Sequence, residues 1–358
     1  KTEARISEIL CTDESGYYVL RHYFTGSFAS EQFWVEQYSY DNKMIYSKEL
    51  LGLFSEGTLG NSLLYKTLLP GKDKFLLFFH GWNKEKGKGY YVVKEMSKDG
   101  TLQKDGKELE TLQAEKQMNA GFHHPVLSPD KSKLLILTDM PFVKESKETI
   151  RLRCFDTQSF KEQWFKEIKL NVECKRGVNN DPLINNSGNV FVFKRMVEKS
   201  AYIYSGYTFN SSAQEWKESP LDLNGKIIAQ YKVIINSKQD FIVTGFYATK
   251  KENDLEGTFY LRFDGKTLAL AASKVEPFGA KLLSNWLSEK NSVKEGANIS
   301  NFKKKDVLSY PATGNVLIIA EDYMESFTAA QPGASVQKAM QYTYYYNDIL
   351  TINMQEDG

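Results

Sequence analysis

The chain has 358 residues and is poor in several residue types that carry chemistry. It holds three cysteines, Cys11, Cys154 and Cys174, too few and of the wrong parity for a disulfide framework. Free thiols are expected, with a Cys154–Cys174 bridge as the minor alternative in an oxidising compartment. Four histidines confine imidazole chemistry to a few positions. Charge of neither sign prevails, since 46 Lys and Arg stand against 45 Asp and Glu. The chain therefore lacks the bulk positive field that draws a phosphate backbone, and nucleic acid is not an expected partner. No apolar run approaches the length of a membrane-spanning helix, and the longest candidates, such as Phe75 to Phe79, are strand-sized. Catalytic signatures are missing as well. The sequence has no Gly-x-Ser-x-Gly elbow, no His-Glu-x-x-His, no Cys-x-x-Cys, no phosphate-binding glycine loop and no complete calcium loop. No catalytic residue, metal or cofactor is expected on these grounds.

What the chain does have is aromatic content and a repeat. Aromatics make up 13%, with 21 Tyr and 22 Phe, which favours strands over helices. A turn dipeptide recurs at Asp41-Asn42, Asp99-Gly100, Asp156-Thr157, Asn210-Ser211, Asp264-Gly265 and Asp357-Gly358. The first four intervals are 58, 57, 54 and 54 residues and the last is 93, so one unit carries an insertion. Such a period marks an array of like β units. A second turn in each unit, at Ser15-Gly16, Pro70-Gly71, Pro129-Asp130, Ser187-Gly188, Ser237-Lys238 and Thr313-Gly314, precedes a strand of nearly continuous Leu, Ile, Val and Phe. Strands of that kind are packed on both faces. Tyr-rich alternating strands follow and run into the recurring turn.

The expected fold is an all-β propeller of six four-stranded blades, approximately 1–52, 60–110, 123–170, 181–220, 228–275 and 306–358, in one domain, with a helical insertion at 276–305. The sixth blade stops where its fourth strand should begin. Either Lys1 to Ser7 supplies that strand, or the chain continues past Gly358 and adds further strands or blades, making seven or more; the second is favoured, because Ile6 is the one strong strand former in Lys1 to Ser7.

The run His124-Pro125-Val126-Leu127-Ser128-Pro129-Asp130, followed by Lys133 to Leu137, resembles the blade pattern of TolB-like proteins and of the propeller domain of prolyl-oligopeptidase-type peptidases. The stretch Tyr344-Tyr345-Tyr346-Asn347-Asp348-Ile349-Leu350 is similar to segments of uncharacterised exported proteins of Bacteroidota. The resemblance implies an exported bacterial protein, periplasmic or at the cell surface. It implies no activity. A chain that opens at Lys1 suits a processed exported protein and a trimmed chain equally.

In a propeller the connections between second and third strands share one face with those between blades, and binding residues concentrate on such loops. Trp82, Phe142, Tyr247, Tyr323 and Phe327 are aromatics on these connections, 80–89, 139–148, 247–257 and 322–341. Trp286 joins them from the insertion, where Ala280, Leu283, Trp286 and Leu287 recur at helical spacing, and Tyr342 flanks the longest connection. Together they form a candidate partner face. Lys303-Lys304-Lys305 reads as a solvated turn. A second candidate is the mouth of the central channel. There His123 and His124 precede the first strand of unit three, and Asn179, Asn180 and Asp181 occupy the corresponding place in unit four, Pro125 and Pro182 being 57 residues apart. The leading expectation is a non-enzymatic propeller that binds a protein partner, alone or within an envelope assembly. The alternative is a propeller hydrolase, lyase or glycan-binding protein using the polar mouth.

Overall fold

The computed structural model describes residues 5–23, 32–50, 63–103, 105–114, 121–174, 180–198, 201–292, 294, 296–329 and 340–355. The chain divides into two compact units, Lys1–Gly177 and Val178–Gly358, each with three antiparallel sheets. In the first unit, blade one comprises β1 (Arg5–Asp13), β2 (Gly16–Tyr23), β3 (Gln32–Tyr38) and β4 (Met44–Glu49). Blade two comprises β5 (Leu63–Pro70), β6 (Lys74–Asn83), β7 (Lys88–Ser97) and β8 (Lys107–Gln113). Blade three comprises β9 (Phe122–Leu127), β10 (Lys133–Asp139), β11 (Lys147–Asp156) and β12 (Glu162–Glu173). In the second unit, blade four comprises β13 (Asn180–Ile184), β14 (Val190–Glu198), β15 (Ala201–Asn210) and β16 (Glu215–Leu221). Blade five comprises β17 (Ile227–Ile235), β18 (Phe241–Ala248), β19 (Gly257–Phe263) and β20 (Leu270–Pro277). Blade six has three strands, β21 (Phe302–Ser309), β22 (Val316–Ala329) and β23 (Met340–Met354). Sequential up-and-down sheets of this kind make the fold a six-bladed β-propeller.

The recurring dipeptide has a local cause. In each of three turns one side-chain oxygen of an Asp or Asn closes an Asx turn on two backbone amides. Asp156 Oδ1 accepts from Gln158 and Ser159 at 3.2 and 2.8 Å, Asn210 Oδ1 from Ser212 and Ala213 at 3.0 and 2.9 Å, and Asp264 Oδ1 from Lys266 and Thr267 at 3.0 and 2.6 Å. The amides of Ser159 and Thr267 lead the groups that hold the Asp156 and Asp264 carboxyls below the usual range.

The second strands are the spine of each blade, as the apolar runs predict. Phe75 to Phe79, Leu134 to Leu137, Val190 to Phe193 and Phe241 to Val243 are buried on both faces. Blade pairs share cores within each unit. Val35 and Leu20 pack with Phe75, Leu77 and Phe79, while Leu76, Phe78 and Tyr91 pack with Leu134, Ile136 and Phe155. In the second unit Phe191 and Phe193 meet Phe241 and Phe263, and Ile242 and Tyr260 meet Val316, Ile318 and Leu350. Each such side chain contributes about 1.5–3 kcal/mol through burial.

Three expectations change. The helical insertion is two single turns, α1 (Ala280–Leu283) and α2 (Glu289–Ser292), because Ser284 closes the first after one turn. Leu283, Leu282, Trp286 and Leu287 nonetheless pack on blades five and six. The stretch 322–341 is not one loop, since β22 and β23 carry their pairing outward as far as Ala329 and Met340. Lys303 to Lys305 lie within β21 rather than in a turn. Arg5 and Ile6 pair with His22 and Arg21 in blade one. The three cysteines are free thiols, so no Cys154–Cys174 bridge forms. Among the described residues no helix is long and apolar enough to cross a membrane.

Candidate functional site

Blade six carries the most unusual surface. β21 ends its pairing with β22 at Phe302 opposite Asp322, whereas β22 and β23 continue together for seven more positions, from Tyr323 opposite Tyr346 to Ala329 opposite Met340. The result is a two-stranded ribbon standing beyond the three-stranded sheet. An isolated ribbon of two strands is marginally stable in water. Here its root is held by aromatic contacts. The Tyr323 ring lies 6.2 Å from Tyr344 and 5.4 Å from Tyr346, and Lys303 Nζ and Lys305 Nζ sit 4.0 and 5.4 Å from its centroid. Lys305 also meets Tyr346 at 5.7 Å and pairs with Glu321 at 2.6 Å. The lysines thus tie the first strand to the other two through cation–π contacts.

This surface is exposed. Met324, Tyr344, Tyr345, Tyr346 and Ile349 keep 44, 51, 43, 61 and 70% of their area in water. Tyr344 and Tyr346 lie on one face of the ribbon and Tyr345 and its cross-strand partner Met324 on the other, so apolar area is exposed on both faces. The backbones of Phe327 and Tyr342 are paired in this ribbon, and their side chains lie outside what is described.

The other expected partner-face aromatics are placed differently. Trp82 lies within β6, half-buried, and its indole Nε1 donates to the Ala114 carbonyl at 3.2 Å. Tyr247 lies within β18, buried in the core shared by blades four and five, with Lys226 Nζ 5.3 Å from its ring. Trp286 is half-buried, edge-on to Phe302 at 5.1 Å. Phe142 is exposed on the β10–β11 connection, and its neighbour Val143 lines an open depression of about 440 Å³ with Ser146, Lys147, Thr149, Glu167 and Lys169.

The expected mouth residues fall in the two units and are described in each. In the first unit His124 Nε2 meets Asp139 Oδ2 at 2.8 Å across the β9–β10 pair. His123 does not share that bond. It stacks on Tyr91 at 4.3 Å and lies 5.6 Å from His80. Burial, then the neighbouring His80, His124 and Lys66, pushes its imidazole down to about 3, and burial with Lys66 lowers His80. Among the described residues His80 Nε2, Tyr91 Oη and Thr138 Oγ1 are buried with no hydrogen-bond partner. This polar cluster was missed in the sequence, since His80 and Tyr91 sit inside apolar runs of blade two and meet His123 only when blades two and three pack.

In the second unit Asn180 Oδ1 accepts from the buried Lys194 Nζ at 3.0 Å, and Asp181 accepts from the Tyr231 hydroxyl. Arg195 and Tyr202 both donate to Glu252, with the Arg195 guanidinium 4.6 Å from the Tyr202 ring. Asn179 lies outside the described residues. Among the described residues no three or more His, Cys, Asp or Glu side chains are grouped to hold a metal ion.

No protein-family model and no curated protein matches this sequence. Solved structures match it in shape. The β-propeller domain of the trilobed protease of Pyrococcus furiosus is 12% identical with a TM-score of 0.45, over 98% of this chain and 83% of that one. An acylaminoacyl peptidase of Pyrococcus horikoshii is 9% identical with a TM-score of 0.50, over 89% of this chain and 43% of the peptidase, so this chain spans less than half of that protein. An exo-β-1,3-galactanase of Phanerochaete chrysosporium is 8% identical with a TM-score of 0.33, over 82% and 62%. The first of these is itself a β-propeller domain. At such identities the likeness concerns the fold alone.

Proposed function

We propose that this chain is a non-enzymatic protein-binding propeller that engages its partner through the tyrosine-rich surface of blade six. The observation that carries this reading is the exposure of Met324, Tyr344, Tyr345, Tyr346 and Ile349 on the two faces of a ribbon whose root residue Tyr323 is fixed by Lys303 and Lys305. Tyrosine and methionine are the side chains that protein interfaces favour, and a pre-ordered platform loses little entropy on binding. The resemblance of the tyrosine-rich stretch to exported proteins of Bacteroidota adds the setting, a bacterial periplasm or cell surface, where a propeller serves as a subunit of an envelope assembly. Replacing Tyr344 and Tyr346 together by Ala tests the site. The double variant stays folded, its melting temperature lowered by no more than the lost ring contacts with Tyr323 and Lys305 account for, and loses affinity for the purified partner by at least tenfold. Unchanged affinity refutes it.

A second reading, a glycan binder or a hydrolase or lyase, is favoured by the polar groups of the second unit, where Arg195, Tyr202 and Glu252 form one cluster and Asp181 and Tyr231 another. Planar Tyr rings beside a guanidinium–carboxylate pair suit sugar hydroxyls. Loss of oligosaccharide binding in a Glu252→Ala variant is the outcome that supports it.

A further inference from the structure

Three consecutive lysines lie in β21, and they do not share one role. Lys303 and Lys305 place their ammoniums on the Tyr323 ring, and Lys305 also pairs with Glu321. Lys304, at the alternate position, turns to the opposite face of the strand. Its cross-strand partner Ala320 belongs to the core shared with blade five, so Lys304 faces β17. Gln230 of β17 fastens the backbone there: its Nε2 donates to the Phe302 carbonyl at 2.7 Å and its Oε1 accepts from the Lys304 amide. Both strands are bulged at this point, β17 between Ile228 and Gln230 and β21 between Lys304 and Asp306, a device that re-aims side chains. Two residues along β17, Lys232 pairs with Asp306, whose Oδ1 also accepts from the Val307 amide at 2.8 Å. Lys304 is half-buried, and among the described residues its Nζ has neither a hydrogen bond nor an ion pair. Two ammoniums therefore stand beside one carboxylate that is already engaged.

We infer that the meeting of β17 and β21 is an anion site, where Lys304, with Lys232 beside it, takes a small oxyanion, phosphate or a carboxylate. The inference is independent of the tyrosine surface, which lies on the other face of β21 from Lys304. An ammonium drawn partly out of water without an acceptor loses hydration and recovers nothing. Burial, then the like charge of Lys232, lowers the Lys304 ammonium below the usual lysine range, with the attraction of Asp306 opposing them. An oxyanion reverses that imbalance, since a charge-assisted bond from an ammonium to a carboxylate or phosphate oxygen is among the stronger hydrogen bonds. The group of Lys232, Lys304 and Asp306 carries one positive charge in excess, which suits a monoanion and disfavours a polyanion. The Gln230 clamp fixes the backbone at Lys304 before any ligand arrives, so less order is lost on binding.

Backbone amide shifts of the intact chain, followed by NMR through titrations with inorganic phosphate and separately with acetate at constant ionic strength, test this. The expected result is a saturable shift centred on the Lys304 and Val307 amides. Saturation by phosphate alone assigns the site to phosphate, and saturation by acetate alone assigns it to carboxylates. Lys304→Gln weakens the binding at least tenfold, while Lys250→Gln, on an exposed connection, leaves it unchanged. Asp306→Asn acts in the opposite direction. It removes the carboxylate that competes for Lys232 and keeps an oxygen for the Val307 amide, so affinity rises at least threefold. A merely structural role for Lys304 would not produce that rise. Should Asp306→Asn fail to fold, the unmodified chain and Lys304→Gln still decide. The inference is overturned if neither anion gives a saturable shift, if Lys304→Gln binds as tightly as the parent, or if a folded Asp306→Asn variant binds no more tightly. None of these outcomes bears on partner binding through Tyr344 and Tyr346, which is measured separately.

Discussion

Glu110 on β8 and Arg153 on β11 join blade two to blade three: the carboxylate, almost wholly buried, accepts from Arg153 Nε at 2.8 Å. Arg151 approaches the other oxygen at 3.6 Å, and each arginine takes a second carboxylate, Glu167 or Glu162, at the rim. Breaking a buried pair by removing one partner strands the remaining charge. Glu110→Ala is therefore expected to cost about 2–4 kcal/mol, the part-exposed arginines moderating the loss. The exposed pair Lys144–Glu145, at 3.2 Å, serves as the control, and Glu145→Ala is expected to change stability by no more than about 0.5 kcal/mol. Denaturant midpoints with unchanged slopes measure both.

His123 sets an acid limit. Its imidazole is held at about 3 in the fold, against about 6.5 when unfolded, so between these values the unfolded chain binds the extra proton. The stability tied to a neutral His123 is complete above pH 6.5 and is lost as pH falls through that window. Between pH 7 and pH 5 the loss is about 2 kcal/mol. His123→Gln removes the titrating group, and the difference between its denaturation midpoints at pH 7 and pH 5 is expected to shrink accordingly. Equal pH dependence in both proteins would place the titrating group elsewhere.

The second strands, not the connections, set stability. Leu135 and Ile318 are fully buried, and Ala at either leaves a cavity costing about 2–5 kcal/mol. Lys84 and Lys250 are exposed on connections, where Ala is expected to change stability by no more than about 0.5 kcal/mol. Urea titrations of the four variants separate the two classes.

Deleting Thr328 to Ser335 removes the last two paired positions of β22, Thr328 and Ala329, together with the six residues that follow them in sequence. Blade six keeps its core of Val316, Ile318, Leu350 and Met354 and its exposed Met324, Tyr344, Tyr345, Tyr346 and Ile349, so the variant is expected to fold with a melting temperature close to the parent's and to keep partner binding. Unfolding on deletion would make the ribbon structural.

The blades were legible in the sequence because two local signals agreed: an Asp or Asn that closes its own turn, and an apolar run too continuous for a half-exposed strand. The three-stranded sixth blade followed from the same alignment. Features built by distant pairing were less legible. The polar residues Glu325, Ser326, Thr328 and Gln341 interrupt the apolar pattern, so 322–341 read as a loop, and only pairing of Tyr323 with Tyr346 reveals the ribbon. Trp82 and Tyr247 read as loop aromatics because β6 and β18 outrun their apolar cores; each is held by its surroundings, Trp82 by the Ala114 carbonyl and Tyr247 by Phe259 and its neighbours. Lys303 and Lys305 looked like solvated charge, yet alternate positions on β21 aim both at one tyrosine. The His80, Tyr91 and His123 cluster has no signal at all in one blade's sequence, because two blades make it.

The most direct measurement replaces Tyr345 by a photo-cross-linking phenylalanine analogue, with the same substitution at Phe142 as the comparison, and identifies by mass spectrometry what each variant captures in solution. The account predicts one specific adduct at Tyr345, carrying protein, whether a second copy or another chain, and none at Phe142. Adducts at Phe142 alone, or none at Tyr345 while binding persists, would contradict the assignment of blade six as the binding surface.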